Sequence, residues 1–374
     1  MNILILNWRD ILHPEAGGAE VHLFEIFSRL ADRGHSVTLL TTRFKGCEKR
    51  AIHRGIEVLR YGDNYTFNRQ APSFIKKLLK DDKRHFDCII DDVNKLPFYS
   101  NKRFPNIPCG VFFHHLFGKT VFQLTNFPMA LYVYLTERRY GRNYGKTPCC
   151  AVSKSTADEL LKQGVDARNL TIIENGIDVD KYCPDKSVIR EDDLLLYVGR
   201  VKKYKRVDHI LSAMSALRES GRSLRLAVVG VGDDLPRLKR LTAELGLTDK
   251  VDFAGFVNED RKIEYLRKSA VFVNASEKEG WGITNIEASA CAAPVVANDA
   301  PGLRDSVVDN ETGLLYKEND VGSLTESLGK LLDDRDLRKS LGTRGRRWAE
   351  KFSWDASAGK VEEWLRKTVC AKLP

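Results

Sequence analysis

The chain has 374 residues, of which 43% are hydrophobic and 30% charged, with a net charge of +9. That length exceeds one ordinary core and suits two domains, and the composition excludes a disordered or low-complexity chain. No stretch reaches the roughly 20 apolar residues that a membrane span needs.

The N-terminus, Met1-Asn2-Ile3-Leu4-Ile5-Leu6, has no basic region ahead of its apolar run. No signal peptide and a cytoplasmic location are therefore expected. The eight cysteines contain no Cys-x-x-Cys pair and no metal-ligand spacing with histidine, and read as reduced core thiols. Charge is uneven. Residues 1–183 hold 27 Lys+Arg against 20 Asp+Glu, a surplus of 7, and residues 184–374 hold 33 against 31, a surplus of 2. A basic N-terminal half points to an anionic neighbour, such as a phospholipid surface, a phosphorylated acceptor or nucleic acid; a solvated basic face is the alternative. Nucleic acid has only the charge in its favour, because no aromatic stacking motif accompanies it.

In chain order, Ile3–Trp8 is a continuous apolar run, as in a strand buried on both faces. Ala19–Arg33 is amphipathic, with Val21, Leu23, Phe24, Phe27 and Leu30 at helical spacing, and Gly34 ends it. Strand runs follow at Ser36–Thr41, Ile56–Arg60, Phe86–Ile90, Cys109–Phe113, Pro148–Val152 and Thr171–Glu174, with helical segments between most of them. Such alternation predicts a parallel sheet covered on both faces. Tyr182–Asp193 is polar and contains Pro184, which places a linker there. The pattern then restarts with a strand at Leu194–Val198, a helix at Val207–Ser220, a strand at Leu226–Val229 and a helix at Leu235–Leu245. Strands at Val251–Phe253, Val271–Asn274 and Pro294–Ala297 follow. The tail, Phe352–Lys372, reads as a final helix. The predicted domains are thus 1–183 and 184–352, both Rossmann-like and doubly wound, with 353–374 as a terminal helix. Two such units bind ligands at the carboxyl ends of their strands, facing a shared cleft.

The strongest motif is Glu279-Gly280-Trp281-Gly282-Ile283-Thr284-Asn285-Ile286-Glu287. It follows the strand Val271–Asn274 and opens a helix at Ile283–Ala292. Glycines ahead of a helix let backbone N–H groups approach an anion, and the helix dipole adds to the attraction. One acid can face a sugar while the other, deeper in, accepts hydroxyl hydrogen bonds. Val198-Gly199-Arg200, followed by Lys205, ends the first strand of the second domain, and two cations there suit a diphosphate. Gly230-Val231-Gly232 follows the next strand, but Leu235 stands where a dinucleotide fold has its third glycine. In the first domain, Gly17-Gly18 links the first strand to the first helix and permits close backbone approach. His114 and His115 end the strand Cys109–Phe113, where an imidazole could meet a reacting sugar.

Together these strings resemble glycosyltransferase family 4, a retaining family with the two-domain GT-B fold. The likeness extends through Ala288–Val296, Pro301-Gly302-Leu303-Arg304-Asp305 and Glu311–Leu315, and from Gly17-Gly18 to Phe352-Ser353-Trp354-Asp355. It is weaker between residues 45 and 110. The resemblance implies that Glu279 contacts donor-sugar hydroxyls and Glu287 holds the ribose. It implies that Arg200 and Lys205 meet the diphosphate, and that Gly280, Trp281, Gly282, Ile283 and Thr284 supply backbone contacts. Gly17, Gly18, Gly199, Gly230 and Gly232 would lie beside the donor, and His114, with His115 as alternate, would be the catalytic histidine. The tail helix is expected to cross back to the N-terminal domain.

The expected activity is transfer of a hexose from a nucleotide-diphosphate sugar to a carbohydrate or lipid-linked acceptor. No cofactor and no metal are expected, since two cations already serve the phosphates. Phe127–Arg142, an apolar body ending in Arg138, Arg139 and Arg142, and the cluster Lys76, Lys77, Lys80, Lys83 and Arg84 suggest an anionic membrane surface as a further partner, at the inner face of the cell membrane. The alternatives are a nucleotide-sugar epimerase on the same fold, or a protein that binds nucleotide sugars without catalysis.

Overall fold

In the computed structural model, residues 1–94 and 96–371 are described. The chain divides into two compact units. One comprises residues 1–118, 127–176 and the tail from Trp354; the other comprises 119–126 and 177–353.

The first unit is built on an eight-stranded sheet. Its strands are β1 (Asn2–Leu6), β2 (Ser36–Thr41), β3 (Arg50–His53), β4 (Ile56–Arg60), β5 (Cys88–Val93), β6 (Cys109–Phe113), β7 (Cys149–Ala151) and β8 (Leu170–Ile172). They lie in the order β3-β4-β2-β1-β5-β6-β7-β8. β1 pairs in parallel with β2 and β5, and its residues Ile3, Leu4 and Ile5 are wholly buried, as a central strand with both faces covered requires. Helix Gly18–Asp32 follows β1 and buries Leu23, Phe24, Ile26, Phe27 and Leu30. The edge strand β3 was not anticipated. It pairs antiparallel with β4 through a hairpin whose two turn residues, Arg54 and Gly55, have φ of 50° and 77°. Its alternating exposed and half-buried residues give no apolar run to read.

The second unit has a six-stranded parallel sheet: β9 (Glu191–Val198), β10 (Arg225–Val229), β11 (Val251–Gly255), β12 (Ser269–Asn274), β13 (Val295–Asn298) and β14 (Gly313–Tyr316). The order is β11-β10-β9-β12-β13-β14. The reversal on either side of β9 is the point at which doubly wound sheets hold ligands beyond their strand ends. Its core joins Leu195, Val228, Val271 and Val296 of the sheet to Ile210, Met214 and Leu328 of the helices. The strand β14 overlaps the Glu311–Leu315 string and is too short to show a period.

The boundary expected at 183/184 is corrected to 176/177. Tyr182, placed in a linker by its polar surroundings, is 3% exposed and donates its hydroxyl to Glu259 at 2.8 Å. Arg346 donates to the carbonyls of Val179 and Tyr182, and Arg267 to that of Cys183, so this segment is bound into the second unit. Residues 119–126 also belong there, with Gln123 donating to Glu277 at 2.8 Å. The expected return of the tail is seen in the described residues: helix Trp354–Trp364 belongs to the first unit. Arg29 and Arg33 of the first helix pair with Asp355 and Glu362. The helix closes in a π-helical turn at Leu365–Val369, and Lys372 lies outside the described residues.

The tail presses on β6 at Gly110. A Cβ there would stand 2.6 Å from the indole of Trp364 and 2.9 Å from Val369. Gly110→Val should therefore cost about 1–3 kcal/mol through overpacking, seen as an earlier thermal unfolding transition; an unchanged transition would show that the tail yields without cost.

Candidate functional site

In the second unit the expected residues meet at the carboxyl end of the sheet. The chain leaves β9 at Val198 and turns through Gly199, whose N–H donates to the Val229 carbonyl at 2.9 Å. Gly230 follows β10 with φ of 136°, and a Cβ on it would lie 1.9 Å from the Gly199 carbonyl oxygen. A Cβ on Gly232 would lie equally close to the Val201 carbonyl. These glycines are thus demanded by two loops crossing at backbone contact, a reason that holds whether or not a ligand is bound.

Past Gly199, Arg200 is exposed, while Lys205 is buried at the end of a short 3-10 turn, Lys203–Lys205. The Lys205 ammonium pairs with Glu279 Oε1. Burial opposes its charge and Arg200 repels it, yet Glu279 and Tyr204 outweigh both and hold its pKa above the ordinary lysine value. The two cations and the first acid of the motif therefore share one electrostatic environment.

Glu279 stands on the loop after β12. Its N–H donates to the Pro301 carbonyl at 3.1 Å, and its own carbonyl faces Gly302 so closely that a Cβ there would sit 2.2 Å away. Gly302 also has φ of 83°. Ser276 Oγ lies 2.8 Å from both Glu279 Oε1 and Asn274 Oδ1. Asn274 donates to Asn285 on the following helix, and Asn285 to Ser306. This buried polar chain ties the end of β12 to helix Ile283–Ala290. Gly282 caps that helix with φ of 75°, with Ser306 Oγ and Leu303 against the place of its missing Cβ.

The Trp281 side chain turns away from the rest of this string. Its indole is 2% exposed and packs edge-on against Phe352 with ring centroids 4.9 Å apart. The side chain belongs to the core, because a large apolar ring between two glycines gains more from burial than from a polar site. Only its backbone is left for the role expected of it. Ile283 and Thr284 are half-buried at the helix start, beside Gly280 on the preceding loop.

Glu287, one turn further on, accepts a hydrogen bond from Lys262 at 2.8 Å through Oε1, and Lys262 lies over the ring of Tyr182. Oε2 is buried and accepts no hydrogen bond of good geometry among the described residues; the nearby Tyr182 hydroxyl has one proton, which it gives to Glu259. A buried acceptor left unmet costs roughly 1–3 kcal/mol, which marks this oxygen as one that a ligand hydroxyl would satisfy. Lys262, Tyr182 and Ser276 were missed from the sequence, since no motif surrounds them.

A second cluster lies in the first unit, at the carboxyl ends of β1, β5 and β6. Gly17 donates to Glu20 Oε2 at 2.6 Å, so Glu20 caps the helix that Gly18 opens. Asn94 Nδ2 donates to Glu20 Oε1 at 2.6 Å and to Asn7 Oδ1 at 2.9 Å. Asn7 donates to Asp92 Oδ2 at 2.6 Å, and Asp92 Oδ1 stands 2.6 Å from His114 Nε2. The chain of polar groups thus runs without a break from the glycine loop to His114. No steric demand of the fold explains Gly17 or Gly18. A Cβ at Gly18 would meet nothing within 4 Å, and at Gly17 only Glu20 Oε2, at 3.7 Å.

The buried His114 is pushed down by desolvation but raised further by Asp92 and Glu20, and its pKa lies above the usual histidine value. His22, whose ring centroid is 4.9 Å from that of His114, is held neutral by burial and by its neighbour. His115 instead packs its ring against Phe117. Of the two candidate histidines, His114 is the one built into the polar network. Asp92, Asn7, Asn94 and Glu20 were not singled out in the sequence, because isolated polar residues at strand ends carry no period.

The chain matches the family model described as Glycosyltransferase Family 4 over residues 16–181 and that of Glycosyl transferases group 1 over residues 181–348. The D-inositol 3-phosphate glycosyltransferase of Nocardia farcinica is 32% identical over 230 residues, covering 56% of this chain and 51% of that relative. The chain thus spans about half the length of this curated relative. An uncharacterized glycosyltransferase of Methanocaldococcus jannaschii is 26% identical, over 95% of this chain and 96% of its own length. Among solved structures, the sucrose-phosphate synthase of Thermosynechococcus elongatus superposes with a TM-score of 0.83 at 21% identity, covering 99% of this chain and 100% of that one, which shows the shared two-Rossmann fold.

The Asp92–His114 pair has a pH signature. The folded histidine has a raised pKa, so the pair's stabilisation is complete below the unfolded value of about 6.5 and is lost as pH rises through the folded value. Asp92→Asn should destabilise the chain more at pH 6 than at pH 8.5, and should move the His114 ring titration, followed by NMR, downward. A titration midpoint unchanged by the substitution would deny the pairing.

Proposed function

Because the chain belongs to the group 1 and family 4 glycosyltransferases, we propose that it is a retaining hexosyltransferase that moves a sugar from a nucleotide-diphosphate sugar to an acceptor hydroxyl. The observation that carries this reading is the meeting of Arg200, Lys205 and Glu279 at one strand end, with the unmet oxygen of Glu287 on the helix that follows.

The diphosphate lies against Arg200, Lys205 and the amides of Gly280 to Thr284. As the glycosidic bond breaks, negative charge grows on the departing phosphate, and fixed cations there lower the barrier. Those two cations serve the phosphates without a metal. Glu287 accepts the ribose hydroxyls and Glu279 those of the sugar. The acceptor hydroxyl attacks the anomeric carbon from the side the leaving group departs, so configuration is kept. His114, held by Asp92, is the imidazole of the first unit suited to hydrogen-bond a sugar hydroxyl.

The acceptor is an anionic or lipid-linked polyol. The surplus of 7 positive charges in residues 1–183 supports this, as does the phosphorylated inositol in the name of the Nocardia relative. Helix Phe127–Glu137 leaves Phe127, Met129, Leu131, Tyr132 and Leu135 exposed rather than buried in the core, and Lys76, Lys77 and Lys80 are exposed on helix Phe67–Lys80. Among the described residues no helix is long and apolar enough to cross a membrane. We place the protein in the cytoplasm, held at the inner membrane face by these apolar and basic side chains.

The donor reading is tested by thermal shift with UDP, GDP, UDP-glucose and GDP-mannose. A matching nucleotide at 100 times its Kd should add about 2.7 kcal/mol of stability. Glu287→Ala should abolish the shift for every donor, whereas Glu279→Ala should chiefly slow transfer; no shift with any nucleotide would sink the reading. The surface reading is tested with vesicles. Binding to anionic but not neutral lipid is expected, and Leu131→Glu with Tyr132→Glu should remove it; equal, negligible binding to both lipids would end it.

A further inference from the structure

Lys205 is a buried cation and must keep a counter-charge. In the free protein that partner is Glu279, steadied by Ser276 at 2.8 Å. The backbones of the two residues are fixed, Lys205 by donating its N–H to the Lys202 carbonyl at 2.9 Å, and their loops are tied to each other. The Tyr204 carbonyl accepts from the N–H of Glu277 at 2.9 Å, and Glu279 is clamped between Pro301 and Gly302. Glu279 can therefore change partner only by turning its side chain.

We propose that Glu279 makes this site discriminate a nucleotide sugar from a bare nucleoside diphosphate, by competing with the diphosphate for Lys205. The inference rests on the nucleotide-sugar reading above and adds a role for the free-state ion pair. A diphosphate reaching Lys205 displaces a carboxylate of the same sign. When a sugar is attached, its hydroxyls donate to the displaced carboxylate, which stays satisfied. When the sugar is absent, Glu279 is left half-buried beside a polyanion, with the Ser276 hydroxyl but neither the ammonium nor a sugar hydroxyl to meet it. It then regains Lys205 and expels the diphosphate. The donor is retained and the spent nucleotide released by one side chain, which changes partner once on entry and once after transfer.

The experiment measures dissociation constants of UDP, UDP-glucose, GDP and GDP-mannose by titration calorimetry on the full chain, on Glu279→Gln and on Ser276→Ala. Glutamine keeps the size and the acceptor oxygen but removes the charge. For the base that binds, Glu279→Gln should hold the nucleoside diphosphate about tenfold more tightly, the scale of one lost ionic competitor. It should hold the nucleotide sugar no more tightly, so the preference for the sugar-bearing form shrinks. Ser276→Ala retains both charges and loosens the carboxylate, and should move the diphosphate in the same direction by a smaller factor. If Glu279→Gln fails to fold, Ser276→Ala decides. A diphosphate affinity unchanged or weakened in the folded variants would overturn the competition while leaving the nucleotide-sugar reading in place. Failure of all four nucleotides to bind the unaltered chain would remove that reading, and this inference with it.

Discussion

A buried charge must find its opposite, and in this protein that requirement shapes both functional clusters. Lys205 sits out of water at the end of β9 because its ammonium reaches Glu279, brought to it by the loop after β12. The pair joins two loops that are separated in sequence but adjacent at the centre of the sheet, since β9 and β12 are neighbours. Glycines do the steric part of the task. Gly230, Gly232 and Gly302 let backbones touch where any side chain would collide with a carbonyl, and that contact sets the height at which the cations and acids stand. The same ionic interaction is the one we propose a diphosphate must break to bind and Glu279 restores to release it.

The first unit solves a similar problem with a longer chain of groups. Asp92 and Glu20 are both buried carboxylates, and each is met by an asparagine. His114 completes the chain at one end and the Gly17 amide at the other. A buried network of this kind is rigid, because loosening any member exposes another to the cost of an unmet polar group, a cost already present at the Asn94 side-chain oxygen. The arrangement gives the imidazole one orientation and favours its charged form. The glycine loop is fixed by the same groups, so two features that sequence reading treats separately form one structural object.

Much of the architecture was legible because parallel strands buried on both faces leave continuous apolar runs. Ser36–Thr41, Ile56–Arg60 and Cys109–Phe113 stand where those runs lie. The short edge strand β3 and strand β14 escaped, since exposed alternation and four-residue lengths resemble loop. Tyr182 misled for a different reason. Its polar neighbours suggest a linker, but its ring is buried and its hydroxyl is consumed by Glu259. Trp281 sits in the strongest motif and yet turns its side chain into the core.

By itself the sequence determined the two strand–helix successions, the glycine turns and the identity of the chemical groups at the strand ends. These follow from local rules: period, apolar runs and the special dihedrals of glycine. Only the tertiary structure decided which groups meet. It chose Glu279 as the partner of Lys205, Lys262 as that of Glu287 and Asp92 as that of His114. It left one oxygen of Glu287 unmet and placed the tail against β6. Such pairings join residues far apart in the chain, and their energies come from burial, which no local pattern records.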